Sequence, residues 1–430
     1  MTESPAARPP GSPPVAVGPL GQIRVGDRAA RALTTEFARH RGPKTGLLVG
    51  AEPGSAVLGE AIGALLPGDK LTVVALGAGG AADASAAAEM RAYVTAVGSG
   101  AADRVRVVDS IAEADPADVV VIAEPLIGTA EETRATLDGL SKHLADGGAL
   151  AVSAVAVPGV AAGANDELER QAALFGVGSD LVLLNTPPLR VHRLRFTQAD
   201  AAVAERLAPA YRSSSVPLTR GMNIDSNGVA AAGIALGLAA AARAARPSSR
   251  LWLLLALAAL PVAAFFRDPR RDIPEDDSAV VAASDGRVLS VGRLRDERVG
   301  DVEFLRVAVF LSVLDVHVNR APVAGRVVDY FVEDGGFAPA MGADAEHNVA
   351  AYTVLETPRG TVVVAQRTGV LARRIVHRTP VGTLLAKGER FGLIRFGSRT
   401  DVYLPADAAE ALVAPGDRVA AGSSVIARWL

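Results

Sequence analysis

The sequence predicts a multidomain protein with an N-terminal doubly wound α/β domain, a short apolar helical hairpin and a C-terminal mainly-β domain. Three observations predict this fold class. The chain has 430 residues, more than one ordinary hydrophobic core accommodates. Apolar runs alternate with helix-like segments in the first half, whereas short β-type runs with glycine punctuation fill the last third. Two uncharged segments separate these halves. We expect the following boundaries: a disordered tail 1–20, the α/β domain 21–196, a connector 197–227, the hairpin 228–271 and the β domain 272–430.

Composition excludes several classes of function. The net charge of −3 gives no electrostatic basis for a nucleic-acid partner, and we expect none. The chain has no cysteine, which excludes thiol catalysis and disulfides. Its six histidines are scattered without metal-ligand spacing, so we expect no metal. No apolar run precedes Val15, so we expect no cleavable signal peptide and a protein that starts in the cytoplasm.

The first half reads as alternating strands and helices. A buried-strand pattern at 45–50 is followed by a helix candidate at 55–66. Further strand candidates are 71–76, 105–108, 119–123, 149–155 and 181–184. Gly50 to Ser55 would form a glycine-containing turn that presents the first helix N-terminus to a ligand. This alternation predicts a parallel sheet with helices on both faces.

In architecture this half resembles a class I S-adenosylmethionine-dependent methyltransferase domain. Two departures concern the cofactor. Pro53 stands between only two glycines of the first turn, and the second predicted strand ends in Ala75, Leu76 and Gly77, without the carboxylate that binds ribose hydroxyls. Asp109 and Glu124 follow later strands and could bind an adenine amino group or cap a helix. We favour a degenerate, non-catalytic domain; a working transferase that binds S-adenosylmethionine is the alternative.

The two uncharged segments, 228–242 and 251–266, are each about 23 Å long as helices. A bilayer core is about 30 Å thick, so each is short for a clean span. Arginines stand at both the hinge and the exit. These features favour a hairpin that dips into the cytoplasmic leaflet, with its arginines near anionic head groups. A buried pair of core helices is the alternative.

The most informative motifs lie in the C-terminal half. An apolar run that ends at Phe396 is followed by Gly397-Ser398 and then by Arg399 to Pro405. Upstream lie Ser284-Asp285-Gly286 and the stretch Phe310 to His317. Together, over about residues 228–430, these motifs resemble the phosphatidylserine decarboxylases, in particular their short bacterial and archaeal branch.

The resemblance implies a self-processing enzyme. Ser398 would attack the carbonyl of Gly397, and elimination of the resulting ester would leave a pyruvoyl group, the enzyme's cofactor, on Ser398. The products would be a β chain 1–397 and an α chain 398–430 that stay paired as a heterodimer and could assemble further. The pyruvoyl would form a Schiff base with phosphatidylserine, release CO₂ and yield phosphatidylethanolamine.

The resemblance also implies roles for individual residues. Asp285 and His317 would orient and perform the base role, in a carboxylate–imidazole–hydroxyl arrangement. The larger bacterial enzymes carry a second histidine where this chain has Arg320, which leaves open whether His317 serves both cleavage and decarboxylation. Arg373 and Arg374 would bind the lipid phosphate. The triplet Glu346-His347-Asn348 resembles a family triplet that we interpret as structural.

These motifs and the hairpin predict a membrane-associated decarboxylase, peripheral or monotopic, on the cytoplasmic face of the cell membrane. Three alternatives stay open: a pyruvoyl decarboxylase of another amino-acid head group, a scaffold or lipid-binding module that never processes itself, and a bifunctional enzyme whose first half also methylates phospholipid.

Overall fold

The computed structural model describes residues 23–75, 84–98, 100, 103–211, 215–246, 248–370, 374–394 and 398–430. The chain divides into two compact units. The first comprises Met1–Asp200 with Ala210–Ser213, and the second comprises Ala201–Pro209 with Ser214–Leu430.

The first unit is a doubly wound α/β domain. Its helices are α1 (Asp27–Leu33), α2 (Thr35–Arg39), α3 (Ala56–Gly63), α4 (Ala84–Val97), α5 (Ala130–Ser141) and α6 (Ala162–Phe175). Its strands are β1 (Thr45–Val49), β2 (Lys70–Val74), β3 (Val105–Val108), β4 (Ala117–Ile122), β5 (Leu144–Val155), β6 (Gly176–Val182) and β7 (Leu189–Leu194). The described strands are ordered β3-β2-β1-β4-β5-β7-β6.

Both faces of this sheet are buried, which explains its nearly continuous apolar strands. Along β1, Leu48 contributes to one hydrophobic cluster, whereas Leu47 and Val49 contribute to another. Successive strand residues point to opposite faces, so two cores form on the two sides of the sheet. The predicted fold class is confirmed, with one difference: β7 pairs antiparallel with both β5 and β6.

The second unit begins with a 3-10 helix, Ala201–Arg206, and strands β8 (Val216–Thr219) and β9 (Met222–Ile224). The region expected to be a connector, 197–227, therefore contains a 3-10 helix and two strands. β8 and β9 pair with each other, and β9 also pairs with β10 (Arg267–Pro269). Because β10 lies 43 positions beyond β9 in the chain, no local pattern reveals this small sheet.

The hairpin consists of α7 (Ser226–Ala245) and α8 (Leu251–Phe265). α7 has 20 residues, longer than the predicted segment, because its alanine-rich C-terminal end continues the helix past Arg243. By length and composition alone it could cross a membrane. Gly228 and Ala239 are buried in α7, and Ala259 and Phe265 in α8, while most other positions are exposed. The alternative of a buried core pair is therefore wrong.

The remainder of the second unit is mainly β, as predicted. Its strands are β11 (Ala279–Val281), β12 (Gly286–Asp296), β13 (Gly300–Leu311), β14 (Val318–Arg320), β15 (Gly325–Glu333), β16 (Ala350–Thr357), β17 (Gly360–Arg367), β18 (Ile375–His377), β19 (Leu384–Leu385), β20 (Arg390–Ile394), β21 (Ser398–Pro405), β22 (Ala409–Ala411), β23 (Arg418–Val419) and β24 (Val425–Trp429). A short 3-10 helix spans Ala343–His347.

Three sheets are formed by these described strands. The largest has the order β19-β15-β16-β17-β21-β13-β12-β23; the other two are β11-β24-β22 and β14-β20-β18. The named strand pairs of this unit are antiparallel, which allows one face of a sheet to be apolar and the other polar. Val307, Val309, Val364 and Val402 lie in one core cluster. This core holds β13, β17 and β21 together, the strands that position the site described next.

Candidate active site

Ser398 is the first residue of β21 and is completely buried. On one side of β21, Ser398 pairs with Leu311, the last residue of β13. On the other side, Arg399 pairs with Arg367 of β17. Among the described residues, the Ser398 hydroxyl has no hydrogen-bond partner. Buried polar atoms are nearly always paired, so this unpaired hydroxyl requires an explanation.

His317 lies at the end of the connection between β13 and β14 and is 2% exposed. Its Nδ1 is 2.8 Å from the carbonyl oxygen of Asp315, which can only accept, so Nδ1 carries the proton. Nε2 is then the free basic nitrogen, and it has no hydrogen-bond partner among the described residues. Burial lowers the pKa of His317 to about 4, although the hydrogen bond to Asp315 opposes that shift. The imidazole is therefore neutral near pH 7, in the form that accepts a proton at Nε2.

The structure brings Ser398 and His317 into one neighbourhood. The connection 312–317 links β13 to β14, and the connection 395–397 links β20 to β21. β13 pairs with β21, and β14 pairs with β20. In addition, the backbone N–H of Ile394 donates to the carbonyl of His317 at 3.2 Å. The two connections therefore begin and end beside one another. Gly397, the other residue of the predicted cleavage bond, lies outside the described residues.

Asp285 occupies a tight turn before β12. A Cβ atom on the following residue, Gly286, would stand 2.0 Å from the carbonyl oxygen of Phe310, and the φ of Gly286 is +148°. Glycine is therefore required there. The Asp285 carboxylate accepts two hydrogen bonds from Arg271 Nη2, at 2.8 and 2.6 Å, and one from the Ala421 N–H at 2.8 Å.

The expected pairing of Asp285 with His317 is therefore not found among the described contacts. His317 uses the Asp315 carbonyl to orient its ring, and Asp285 uses the Arg271 guanidinium to compensate its charge. The physical reason is that a partly buried carboxylate is stabilised more by a cation, here one guanidinium nitrogen that contacts both carboxylate oxygens, than by a neutral imidazole. In the described contacts the Asp285 carboxylate joins the turn to Arg271 and to the Ala421 backbone, and its predicted catalytic role stays a prediction.

Arg320, at the position of the second histidine, is a buried structural residue. Its guanidinium donates to Asp268 at 3.0 Å, to the Pro269 carbonyl at 3.0 Å and to the Gly388 carbonyl at 3.1 Å. Burial, aided by the charge of Arg390, lowers the pKa of Arg320 to about 10, which still leaves it protonated near pH 7. A guanidinium that stays protonated is unsuited to act as a base.

A layer of buried polar side chains beside Ser398 was missed by sequence reasoning. Thr400 lies on the same face of β21 as Ser398 and is 2.5 Å from the Ser284 hydroxyl. Gln366, opposite Thr400 on β17, donates from Nε2 to Asn319 Oδ1 at 2.7 Å. All four side chains are fully buried.

The Gln366–Asn319 pair links the strand that follows His317 to the sheet that carries Ser398. Gln366 also lies against β20, since a Cβ on Gly392 would stand 3.4 Å from its Nε2. Its Oε1 has no hydrogen-bond partner among the described residues. The sequence pattern that could have identified Gln366 is its place directly after the apolar run Val362 to Ala365. A glutamine in such a buried strand needs a hydrogen-bond partner for its side-chain amide.

The opposite face of β21 carries an ion-pair network. Asp401 accepts from Arg367 at 2.9 Å and from Arg399 at 2.6 Å. Glu346 bonds Arg306 at 2.8 Å and lies 3.5 Å from Arg399. These contacts fit the structural interpretation of the triplet that begins at Glu346, since they fix the strand immediately after Ser398.

The predicted phosphate ligands are only partly described. Arg374 is exposed, as a phosphate-binding side chain must be, and Arg373 lies outside the described residues. At the hairpin end, the Phe265 ring lies on the His317 ring, with centroids 4.3 Å apart and an interplanar angle of 36°. Phe265 thus shields one face of the imidazole and contributes to its burial.

Comparisons with known proteins identify the second unit. Residues 259–427 match the family model described as phosphatidylserine decarboxylase. A phosphatidylserine decarboxylase proenzyme of Symbiobacterium thermophilum is 51% identical over 180 residues, which cover 41% of this chain and 83% of that protein. The corresponding proenzyme of Carboxydothermus hydrogenoformans is 44% identical over 179 residues, covering 41% and 84%.

The first unit is similar to solved methyltransferase structures. A methyltransferase from Pyrococcus furiosus matches at 18% identity and a TM-score of 0.31, covering 40% of this chain and 84% of that one. An O-methyltransferase from Bacillus cereus matches at 14% identity and a TM-score of 0.29, covering 42% and 84%. Similarities this small assign no function to the first unit.

The curated relatives define the class: this protein is a decarboxylating lyase. More particularly, the chain belongs to the phosphatidylserine decarboxylase family, since relatives of this identity are covered over most of their length.

Proposed function

We propose that this protein converts phosphatidylserine to phosphatidylethanolamine and CO₂, using a pyruvoyl group that it generates at Ser398. The observation that carries the proposal is the buried Ser398 hydroxyl, without a hydrogen-bond partner among the described residues, in the same neighbourhood as the neutral His317. The names of the relatives, which are proenzymes, support a processing step.

The cleavage follows from groups of this chain. His317 Nε2 accepts the Ser398 hydroxyl proton as Oγ attacks the carbonyl carbon of Gly397. The peptide C–N bond breaks, its nitrogen takes a proton, and an ester joins the two chains. Removal of the Ser398 Cα proton then breaks the Cβ–Oγ bond and releases Gly397 as a carboxylate. The remaining dehydroalanine reacts with water, loses ammonia and becomes a pyruvoyl group.

The surroundings of Ser398 fit such a group. Ser398 Oγ is the atom that leaves in the cleavage reaction, and its departure breaks no hydrogen bond to the described residues. β21 stays paired with β13 and β17, which would hold the new N-terminus of chain 398–430 in place as the heterodimer of cleaved chains. When formed, the pyruvoyl group supplies an electron sink for the electrons released with CO₂. His317 would hold the proton at Nε2 that the substrate carbon then receives.

The substrate is bound, in this proposal, through its phosphate. The exposed guanidinium of Arg374 can make charge-assisted hydrogen bonds to a phosphodiester, and Arg373 would assist. A pyruvoyl decarboxylase of another head group is the competing assignment. Turnover of phosphatidylserine against free serine by the purified enzyme distinguishes the two.

We also propose a peripheral or monotopic location on the cytoplasmic face of the membrane. The exposed apolar side chains of α7 and α8 support it, among them Ile234, Leu254 and Leu260 at 66%, 67% and 69% exposure. Single cysteines introduced at the hinge and at the exit of the hairpin should both react with a reagent added from the cytoplasmic side. Labelling of the two positions from opposite sides would refute the monotopic arrangement.

For the first unit we propose a degenerate methyltransferase fold that carries out no methyl transfer. Asp109, one of the two candidate adenine ligands, is engaged in an ion pair with Arg91. The bifunctional alternative, in which this unit methylates the lipid product, requires S-adenosylmethionine binding, which is tested below.

Intact-protein mass spectrometry of the purified chain and of Ser398→Ala tests the central proposal. The wild type should give two fragments separated between Gly397 and Ser398, the smaller one with a pyruvoyl in place of serine. The variant should remain a single 430-residue chain. A wild type that also remains whole would refute self-processing and leave a membrane-bound scaffold.

A further inference from the structure

The loop Ser312–Val316, which leads into His317, presents apolar side chains to solvent. Leu314 is 83% exposed and Val313 is 46% exposed. A single exposed leucine is ordinary in soluble proteins. Here two adjacent apolar side chains are exposed at the tip of a loop that leads to a buried imidazole. Packing within the chain does not account for their exposed positions.

The shape of this loop is held by its own hydrogen bonds. The Asp315 carboxylate accepts from the Ser312 N–H at 2.8 Å and from the Ser312 hydroxyl at 2.7 Å. The Asp315 N–H in turn donates to the Ser312 carbonyl at 3.0 Å. The polar groups are thus satisfied within the turn, while the two apolar side chains remain at its tip.

The loop also lies at the base of the hairpin. Arg267, just after α8, donates from Nη2 to the Leu314 carbonyl and from Nη1 to the Ala264 carbonyl at 3.2 Å. The start of α7 is joined to the end of α8 by the Asp225 N–H, which donates to the Phe266 carbonyl at 2.9 Å. Phe265 contacts His317 itself. The exposed apolar tip is therefore continuous with the end of α8.

We propose that the loop Ser312–Val316 is a bilayer contact, and that its occupant is the surface of a membrane containing phosphatidylserine. The inference rests on the proposed function, since a lipid substrate must bring its head group to Ser398 and His317. Leu314 precedes His317 by three residues, so the two lie within about 10 Å. Insertion of Leu314 into the acyl boundary places His317 at head-group depth, with Arg267 among the anionic phosphates.

A fluorescent label tests the contact directly. Because the chain has no cysteine, Leu314→Cys gives a single site for an environment-sensitive fluorophore. Val302→Cys is the matched control: it is 53% exposed and lies near the other end of β13, about 30 Å from Leu311 at 3.3 Å per residue. With vesicles of phosphatidylserine and phosphatidylcholine, the label at 314 should shift to the blue and the label at 302 should not. Equal, water-like emission at both sites on vesicle-bound protein would refute the proposal.

An activity comparison separates this inference from the proposed function. Leu314→Asp should lower kcat/KM on phosphatidylserine vesicles about tenfold, because a charge replaces a leucine that would be buried in lipid. Self-cleavage, and turnover of a short-chain phosphatidylserine below its micelle concentration, should stay within about twofold of wild type. Leu314→Met should behave as wild type on vesicles.

The outcomes are distinguishable. An equal loss on vesicles and on the monomeric lipid assigns Leu314 to the folding of the site and overturns the bilayer contact. Absence of turnover and cleavage in the wild type itself overturns the proposed function instead.

Discussion

The two units treat polar side chains near their strand ends in opposite ways. In the first unit, Asp109 follows β3 and pairs with Arg91, and each side chain is 48% exposed. In the second unit, Ser398 and His317 are buried, and Ser398 Oγ and His317 Nε2 have no hydrogen-bond partner among the described residues. Exposed ion pairs contribute little to stability, whereas an unpaired buried polar group costs free energy.

The second unit also contains buried polar side chains that are fully paired. Arg367 and Asp401 are both fully buried and bond at 2.9 Å, and Arg367 additionally contacts the Tyr352 hydroxyl at 3.0 Å. Burial of such ions is tolerated because their charges are paired. Ser398 lies three positions before Asp401 on β21 and therefore on the opposite face of the strand, where its hydroxyl has no hydrogen-bond partner among the described residues.

The largest effect is expected from His317→Gln. Loss of the base should slow self-cleavage by about 100-fold or more, the usual contribution of general-base catalysis. The measurement is the fraction of uncleaved chain over time after cell-free synthesis. His347→Gln, which changes an exposed histidine, is the matched control and should cleave at the wild-type rate. Normal cleavage in the His317 variant would contradict the assignment of the base.

Gln366→Met should slow cleavage about tenfold, because it removes the amide that joins Asn319 to the sheet of Ser398 while keeping the volume. Asn319→Leu should have a similar effect. If the pair acts as one unit, the double variant should be no slower than either single one. Additive losses, or a fall in thermal midpoint that accounts for the slowing, would show that the pair only stabilises the fold.

The pH dependence of cleavage should reflect the burial of His317. Because its pKa is lowered to about 4, the basic form persists as the pH falls from 7.5 to about 5, and the rate should halve only near pH 4. An unburied histidine would halve the rate near pH 6.5. The test is cleavage of freshly synthesised chain shifted into buffers of different pH.

Folding must be monitored in the same samples. The neutral imidazole contributes stability that is fully present above about pH 6.5 and is lost as the pH falls towards the folded pKa of about 4. Circular dichroism at each pH separates unfolding from protonation. A rate that halves near pH 6.5 in fully folded protein would show that His317 is more solvated than the structure indicates.

The smallest expected signal is the heat of binding of S-adenosylmethionine to the first unit. Since β2 is followed by Ala75 and no carboxylate stands at the predicted ribose position, calorimetry of the full chain should give no heat beyond dilution. Phosphatidylserine vesicles titrated into the same preparation are the positive control. Saturable binding of S-adenosylmethionine would revive the bifunctional alternative and remove the contrast between the units.

Local patterns in the sequence determined a large part of this protein. Apolar runs predicted β1 and β4, since a strand buried on both faces needs a continuous apolar segment. The two uncharged segments predicted α7 and α8, because an apolar run of that length is typical of a helix that contacts lipid. Motif order predicted Ser398 and His317 as site residues, because the proposed chemistry constrains the residue type at those positions.

Only the tertiary structure decided the pairings between distant residues. The antiparallel insertion of β7, the partner of Asp285 and the contact of Phe265 with His317 all depend on strand register and packing. Gln366 and Asn319 are 47 positions apart, and nothing local in either segment specifies that they meet. A sequence pattern reports the side of a strand or helix that is buried, but the partner of a buried polar group is set by the fold that surrounds it.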